Sequence, residues 1–471
     1  MMDASSPARP RSGEDARGVP LSYANQDAID GFERALELSL SFRGDAIAEI
    51  DKVLEDHPDF IMGWLFKVSW LTQAMETRIY PLMVEATREA EKREAMMNDR
   101  ERGYLAAAKA WNNGDFYGAM QHWEKVLIAY PLDLLALNLL QQTSLLLGDV
   151  VGIRDVVARV FTLWDEGIPG YDFVLGFYSF GLEENRDFHL AEEYGREALA
   201  IRPDNPWAVH AGGHVMEMKG RQRGGIRFMR EHQERWGTSN FANHLWWHTS
   251  LFHLDLEEND KVLEIYDQNL SSEGNAGDKY EELDAAALLW RLNLTGVEVG
   301  DRWRNLATKW EPAATDTLYA FNDVHAMMAF VSDNRTDAQE KLLTANERYV
   351  ESASDANVAM SREIGIPFCL AMRDFTKEDY GACVDRLMPV RYMTHRLGGS
   401  WAQRDIINWT LVEAALRAKR YDLALGLANE RAALKPTSAQ NWRAVSRAFK
   451  GLGHTSKAAA AEAKADALIH G

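Results

Sequence analysis

Two stretches of this 471-residue chain concentrate imidazoles at helical spacing: VHAGGHVMEM, with His210, His214 and Glu217, and NHLWWHTSLFH, with His244 and His248. At about 100° per residue, i+4 falls about 40° to one side and i+7 about 20° to the other, so His210, His214 and Glu217 share one narrow stripe. His244 and His248 form a second i,i+4 pair. Packed helices lie about 8–10 Å apart, a gap that two imidazoles close from opposite sides. The two pairs can therefore meet at one centre. Such a centre has three chemistries open to it. Neutral imidazoles with a carboxylate hold Zn or Fe. Without metal they supply general acid and base groups near neutral pH. They can also hydrogen-bond an anionic or polar ligand. Any one of these histidines, taken alone, more often caps a helix or bridges two. The spacing is also not HExxH, because Glu217 follows the second histidine by three residues.

Further polar residues cluster in three motifs. Glu183 in YSFGLEE takes the groove position of the preceding repeat and is expected beside Glu217. Asp323 and His325 in FNDVH offer a carboxylate–imidazole pair, but i,i+2 residues diverge on a helix unless Asp323 caps one. In PVRYMTHRLGGSWAQRDIINW, Gly398 and Gly399 end one helix and Ser400 caps the next. Arg404 then lies near a helix start, where the macrodipole favours anions. It needs a partner, either Asp405, Glu217 or a ligand carboxylate. Trp246, Trp247, Trp401 and Trp409 are groove walls or core. The expected acid–base and substrate-holding residues are thus His210, His214, Glu217, Arg404 and Asp405. Glu183, His244, Trp247, His248, Asp323 and His325 are expected to touch ligand, and the four histidines of the two pairs to hold a divalent metal.

These side chains must be positioned by a repeat. FRGDAIAEIDKVLEDHP sets Ala46, Ile50, Val53 and Pro58 at offsets that recur as Ala119, Trp123, Val126 and Pro131. They recur again as Ala191, Gly195, Ala198 and Pro203, and as Ala424, Ala428, Arg431 and Pro436. A small residue lets the paired helix approach, the next two fill the space between repeats, and proline starts the following turn. The prolines recur at about two lengths of roughly 34 residues, the tetratricopeptide period. With Gly220 at repeat position 15, Trp207, His210, His214 and Glu217 fall at 2, 5, 9 and 12, which face the concave groove. The next helix fits less well, placing His244 at 2 and His248 at 6, partly off the groove. No period-two alternation marks a strand. The expected fold is all-α, a right-handed tetratricopeptide superhelix of about twenty helices in antiparallel pairs forming one body. A disordered leader is expected over 1–20, regular repeats over 21–260, degenerate ones over 261–390 and C-terminal repeats over 391–471, with connectors at Gly296–Gly300 and Asp333–Asp337.

Composition narrows the partners. With 52 basic and 71 acidic residues the formal charge is −19, which disfavours nucleic acid and anionic membranes. No apolar run is long enough to span a bilayer, and two cysteines, Cys369 and Cys383, point to a reducing compartment, the cytoplasm. The motifs YSFGLEE, VHAGGHVMEM, NHLWWH, FNDVHAMMA and PVRYMTHRLGGSWAQRD, in this order, resemble the tetratricopeptide repeat protein 38 family across roughly Leu21 to Pro436. That resemblance implies an all-helical fold and places the candidate residues on family motifs, but implies no reaction. The resulting expectation is a histidine-rich groove that binds a small polar molecule or acts on it by hydrolase or lyase chemistry. The alternative is an adaptor that takes a peptide in the groove, with His, His and Glu where a carboxylate-tail clamp needs Lys, Asn and Arg. A homodimer is left open.

Overall fold

Five of the second helices start the same way, and the backbone shows why. A residue in the left-handed region (Gly44, Gly114, Gly148, Arg186, Glu378) turns the chain, and the aspartate after it caps the helix. Asp45, Asp115 and Asp149 accept from the backbone N–H of Ala48, Gly118 and Gly152 at 2.8–2.9 Å, satisfying donors the helix start leaves free. In this computed structural model, which describes residues 12–271 and 279–470, the pairs are almost wholly α-helical. They are of the tetratricopeptide type. The repeat residues face inward as their offsets require: Ala46, Ile50, Ala119, Trp123, Ala191, Ala198, Ala424 and Ala428 are all buried. Glycines on the first helices let the pairs close. A Cβ on Gly31 or Gly103 would lie 2.3 Å from a methyl of Val53 or Val126, the same contact in two repeats.

The site helices are first helices of successive repeats: Tyr171–Glu184, Pro206–Met218, Ala242–Asp255 and Lys279–Leu294. Their concave faces are not left open, because the C-terminal repeats fold into them. Trp401 donates its backbone N–H to Glu184 Oε1 at 2.9 Å and its indole N–H to the Glu184 carbonyl at 2.7 Å. Lys435 pairs with Asp255 at 2.6 Å and with Glu217 at 3.1 Å. The loop before Trp401–Arg417 is pinned by Gly399 N–H donating to the Leu145 carbonyl at 3.0 Å. The N-terminal repeats also return to the site helices, since Trp207 donates its indole N–H to the Leu40 carbonyl at 2.8 Å.

Three expectations need correction. Residues 12–20, expected as leader, form a small antiparallel pairing of Gly13–Glu14 with Pro20–Leu21. The reason is electrostatic: Arg100 reaches Asp15 at 3.2 Å and Asp133 at 2.7 Å, and Arg17 reaches Glu33 at 2.6 Å, so Asp15 and Arg17 of this segment are both paired. Residues 1–11 lie outside the described residues. The absence of strands is corrected by the same pairing. The second connector is shorter than expected, with Asp337 already inside the helix Thr336–Ser352.

Gly398 has φ +84°, and a Cβ there would sit 2.3 Å from the Leu146 carbonyl oxygen, so both its conformation and its space demand glycine. Gly426 is helical, with nothing within 4 Å of a Cβ. Gly398→Ala should lower unfolding stability by more than about 1 kcal/mol, while Gly426→Ala raises it by about 0.5–1 kcal/mol, read by urea titration.

Candidate functional site

Four buried imidazoles meet between the helices Pro206–Met218 and Ala242–Asp255. His210 Nε2 lies 3.1 Å from His214 Nε2 and 3.1 Å from His244 Nε2, which is itself 3.1 Å from His248 Nε2. His248, expected partly off the groove, is turned fully into the cluster, its ring 4.4 Å from that of His214 and 4.9 Å from that of His210. Three of the four other ring nitrogens face acids, while His210 Nδ1 is buried without a hydrogen-bond partner among the described residues. His244 Nδ1 is 2.7 Å from Asp284 Oδ2, His214 Nδ1 is 3.2 Å from Glu183 Oε2, and His248 Nδ1 is 3.9 Å from Glu217 Oε2. At His244 and His214 the carboxylate at Nδ1 favours the proton there, which directs the Nε2 lone pairs of these two rings into the cluster. Facing lone pairs repel unless a proton or a cation lies between them.

Burial, joined by the neighbouring rings His214 and His244, holds His210 well below the usual imidazole range, and His248 is depressed for the same reasons. For His214 burial pulls downward, but Glu183 outweighs it and the net shift is upward. His210 and His248 are thus neutral at neutral pH, the form that ligates metal. With ligand bonds of about 2.0–2.1 Å, tetrahedral nitrogens stand about 3.3 Å apart. The contacts of 3.1 Å are close to that spacing. Among the described residues, His210, His244 and His248 have ligand atoms mutually within 4.8 Å, and so does a second, adjoining set, Glu183, Glu184 and His214.

The remaining candidates are placed as follows. Trp247 is fully buried and stacks on His244, with centroids 5.4 Å apart, so it supports the ring from behind. Asp323 and His325 diverge: Asp323 turns to Asn346, and His325 Nδ1 donates to the Phe321 carbonyl at 2.6 Å. Asp323 does not cap its helix, which begins at Ala320. Ser400 does cap Trp401–Arg417, in a reciprocal box with Gln403. Arg404 needs correction, because its acid partner is neither Asp405 nor Glu217 but Glu184, at 3.3 Å. Asp405 faces Arg431 instead, 2.9 Å from Oδ2 to Nη2. Glu217 faces Lys435 and an Nδ1 atom and so orients His248 rather than joining the Nε2 centre. Glu183 stands against His214, with 3.2 Å between its Oε2 and the ring's Nδ1.

Three buried residues of the site escape the sequence reading: Glu184, Asp284 and Arg291. Asp284 and Arg291 sit seven residues apart in LDAAALLWRLNL, two charges on one face of an otherwise apolar helix, and that pattern is the signal that could have found them.

No family model matches the chain. The structure of the human IFIT1 dimer with PPP-AAAA is similar at a TM-score of 0.41 and 11% identity, covering 96% of each chain. That of yeast Tom70 is similar at a TM-score of 0.33 and 12% identity, covering 95% of this chain and 93% of that one. Both are helical repeat proteins, and at this level the likeness says nothing about the site. The narrower resemblance to the tetratricopeptide repeat protein 38 family is carried by the sequence motifs alone.

Asp323 offers a check on the electrostatics. Burial pushes its carboxyl up to about 7, from an ordinary 3.8. The folded state therefore holds a proton that the unfolded state releases, and the associated stability is lost as pH rises from 3.8 through about 7. Asp323→Asn should stabilise the protein at pH 8 by on the order of a few kcal/mol, and by much less at pH 4, in urea unfolding at the two values.

Proposed function

We propose that this protein holds a divalent transition metal, Zn or Fe, on the Nε2 atoms of His210, His244 and His248, with His214 beside them, and binds a small polar molecule next to it. The observation that carries this reading is the convergence of Nε2 atoms at 3.1 Å with carboxylates on the Nδ1 side. Carboxylate–histidine–metal arrays are built this way, because the acid fixes the tautomer and raises the ligand's basicity. An all-imidazole set without thiolate suits Zn or Fe. When bound, the metal would act as a Lewis acid, for which hydrolysis or lyase chemistry is the natural use. The residues themselves contribute orientation: Asp284 holds His244, Glu183 holds His214, and Trp247 supports His244 from its face.

The adaptor reading has less support, since the stripe that would meet a peptide is buried beneath Trp401 and Lys435. Nucleic acid is disfavoured by the charge of −19 alone, because a helical repeat fold does not itself exclude it: IFIT1 is seen with PPP-AAAA. No helix among the described residues is long and apolar enough to cross a membrane, and both cysteines are free and buried, which agrees with the cytoplasm.

Elemental analysis of protein purified without added metal should find about one equivalent, and less than about a tenth would remove the proposal. Asp284→Asn should weaken metal affinity about 10–100-fold, measured by competition with a chelator, while leaving the fold intact by circular dichroism.

A further inference from the structure

Beside the histidine cluster lies a small pocket bordered by Glu217 and Asp255. Trp401, Trp409 and Leu434 give it apolar walls, and its cations are Arg291, Arg404, Arg431 and Lys435. Three of the four cations are paired: Arg404 with Glu184, Arg431 with Asp405, and Lys435 with Asp255 and Glu217. Arg291 is not. It is 2% exposed, yet among the described residues no carboxylate comes within 4.0 Å of its guanidinium. It donates only to the backbone carbonyls of Ala287, at 2.9 Å, and Ala402, at 2.6 Å, and lies over the Trp247 ring at 5.2 Å.

The molecule contains its own control. Arg100 is just as buried, and there Asp133 at 2.7 Å and Asp15 at 3.2 Å supply the counter-charge. Leaving a guanidinium in the interior without an acid is costly and has no structural return. Burial accordingly depresses Arg291 to about 10, while Arg100 is raised.

We infer that Arg291 is the anchor for the carboxylate of a small monoanionic ligand whose apolar or aromatic body lies between Trp401 and Trp409. Lys435 already carries two acids, and Arg291 is the pocket cation with none within 4.0 Å among the described residues, which gives one ligand carboxylate a place beside it. A dianion such as phosphate would have to compete with Asp405 and Glu217, already seated around the pocket. Guanidinium suits a carboxylate through paired N–H donors, and the tryptophans suit a planar or aliphatic body. This deepens the small-molecule part of the proposed function and does not need the metal.

Calorimetric titration with sodium phenylacetate and phenylbutyrate, with the corresponding amides, and with inorganic phosphate tests it. At least one carboxylate should bind the wild-type protein, its amide should not, and phosphate should bind more weakly. Arg291→Met should lower the carboxylate affinity about 10–100-fold, the worth of a charged hydrogen bond, without lowering Tm, because it removes an unpaired buried charge. Chelator-treated wild-type protein should keep its carboxylate affinity within about twofold, since metal loss is a separate event. Equal binding of acid and amide, tighter binding of phosphate, unaltered affinity in Arg291→Met, or no binding by either carboxylate would each overturn the inference. The amide comparison uses wild-type protein only, so it holds even where a variant fails to fold. If purified protein contains no metal and still binds the carboxylate, the elemental analysis counts against the metal reading while this inference stands.

Discussion

Buried carboxylates need partners, and that need organises the whole concave side of this protein. Glu183, Glu184 and Asp284 are each at most 1% exposed, on the first and last of the four inner helices. Two of them turn to histidine rings and one to Arg404. An ionised acid at such depth without a counter-charge would cost several kcal/mol. The rings are therefore held in one orientation by the acids, and the acids are tolerated because the rings and the C-terminal arginine come to them. Glu184 shows how close the balance is: burial lifts its carboxyl to about 7 despite the opposing charge of Arg404.

The same requirement accounts for the shape. An open superhelix would expose the stripe that carries His210, His214 and Glu217. Here Lys435 and Arg404 reach Glu217 and Glu184 across nearly half the chain. The groove is thereby converted into a closed cluster on one side and a cation-rimmed pocket on the other. Arg291 belongs to both, with its guanidinium over Trp247 and its edge on the pocket.

Much of this was legible in the residues themselves. The recurrence of Ala46, Ala119, Ala191 and Ala424 at fixed distance from a proline reports helix pairs because the packing is local. The i,i+4 spacing of His210 with His214 and of His244 with His248 reports a shared face because helix geometry is fixed. What local pattern does not carry is the identity of partners distant in sequence. Arg404 and Glu184 are 220 residues apart, so nothing near Arg404 names Glu184, and the adjacent Asp405 is the misleading guess. Asp284 and Arg291 are masked by their setting, an apolar helix in which isolated charges read as solvated. The hairpin at Gly13–Leu21 is too short for alternation to register, and it is ordered by Arg100, far along the chain.

The insertion of the last repeats into the concave face changes how this array behaves as a polymer. An ordinary solenoid is one-dimensional, each unit answering only to its neighbours, so end units can be shed with local effect. Here Gly220, with φ +69°, has space only for hydrogen against the Thr437 side chain, and the Gly399 N–H is spent on the Leu145 carbonyl. The interior is completed only when Arg404 and Lys435 have been synthesised, so Glu184 and Glu217 wait some 220 residues of translation for their counter-charges.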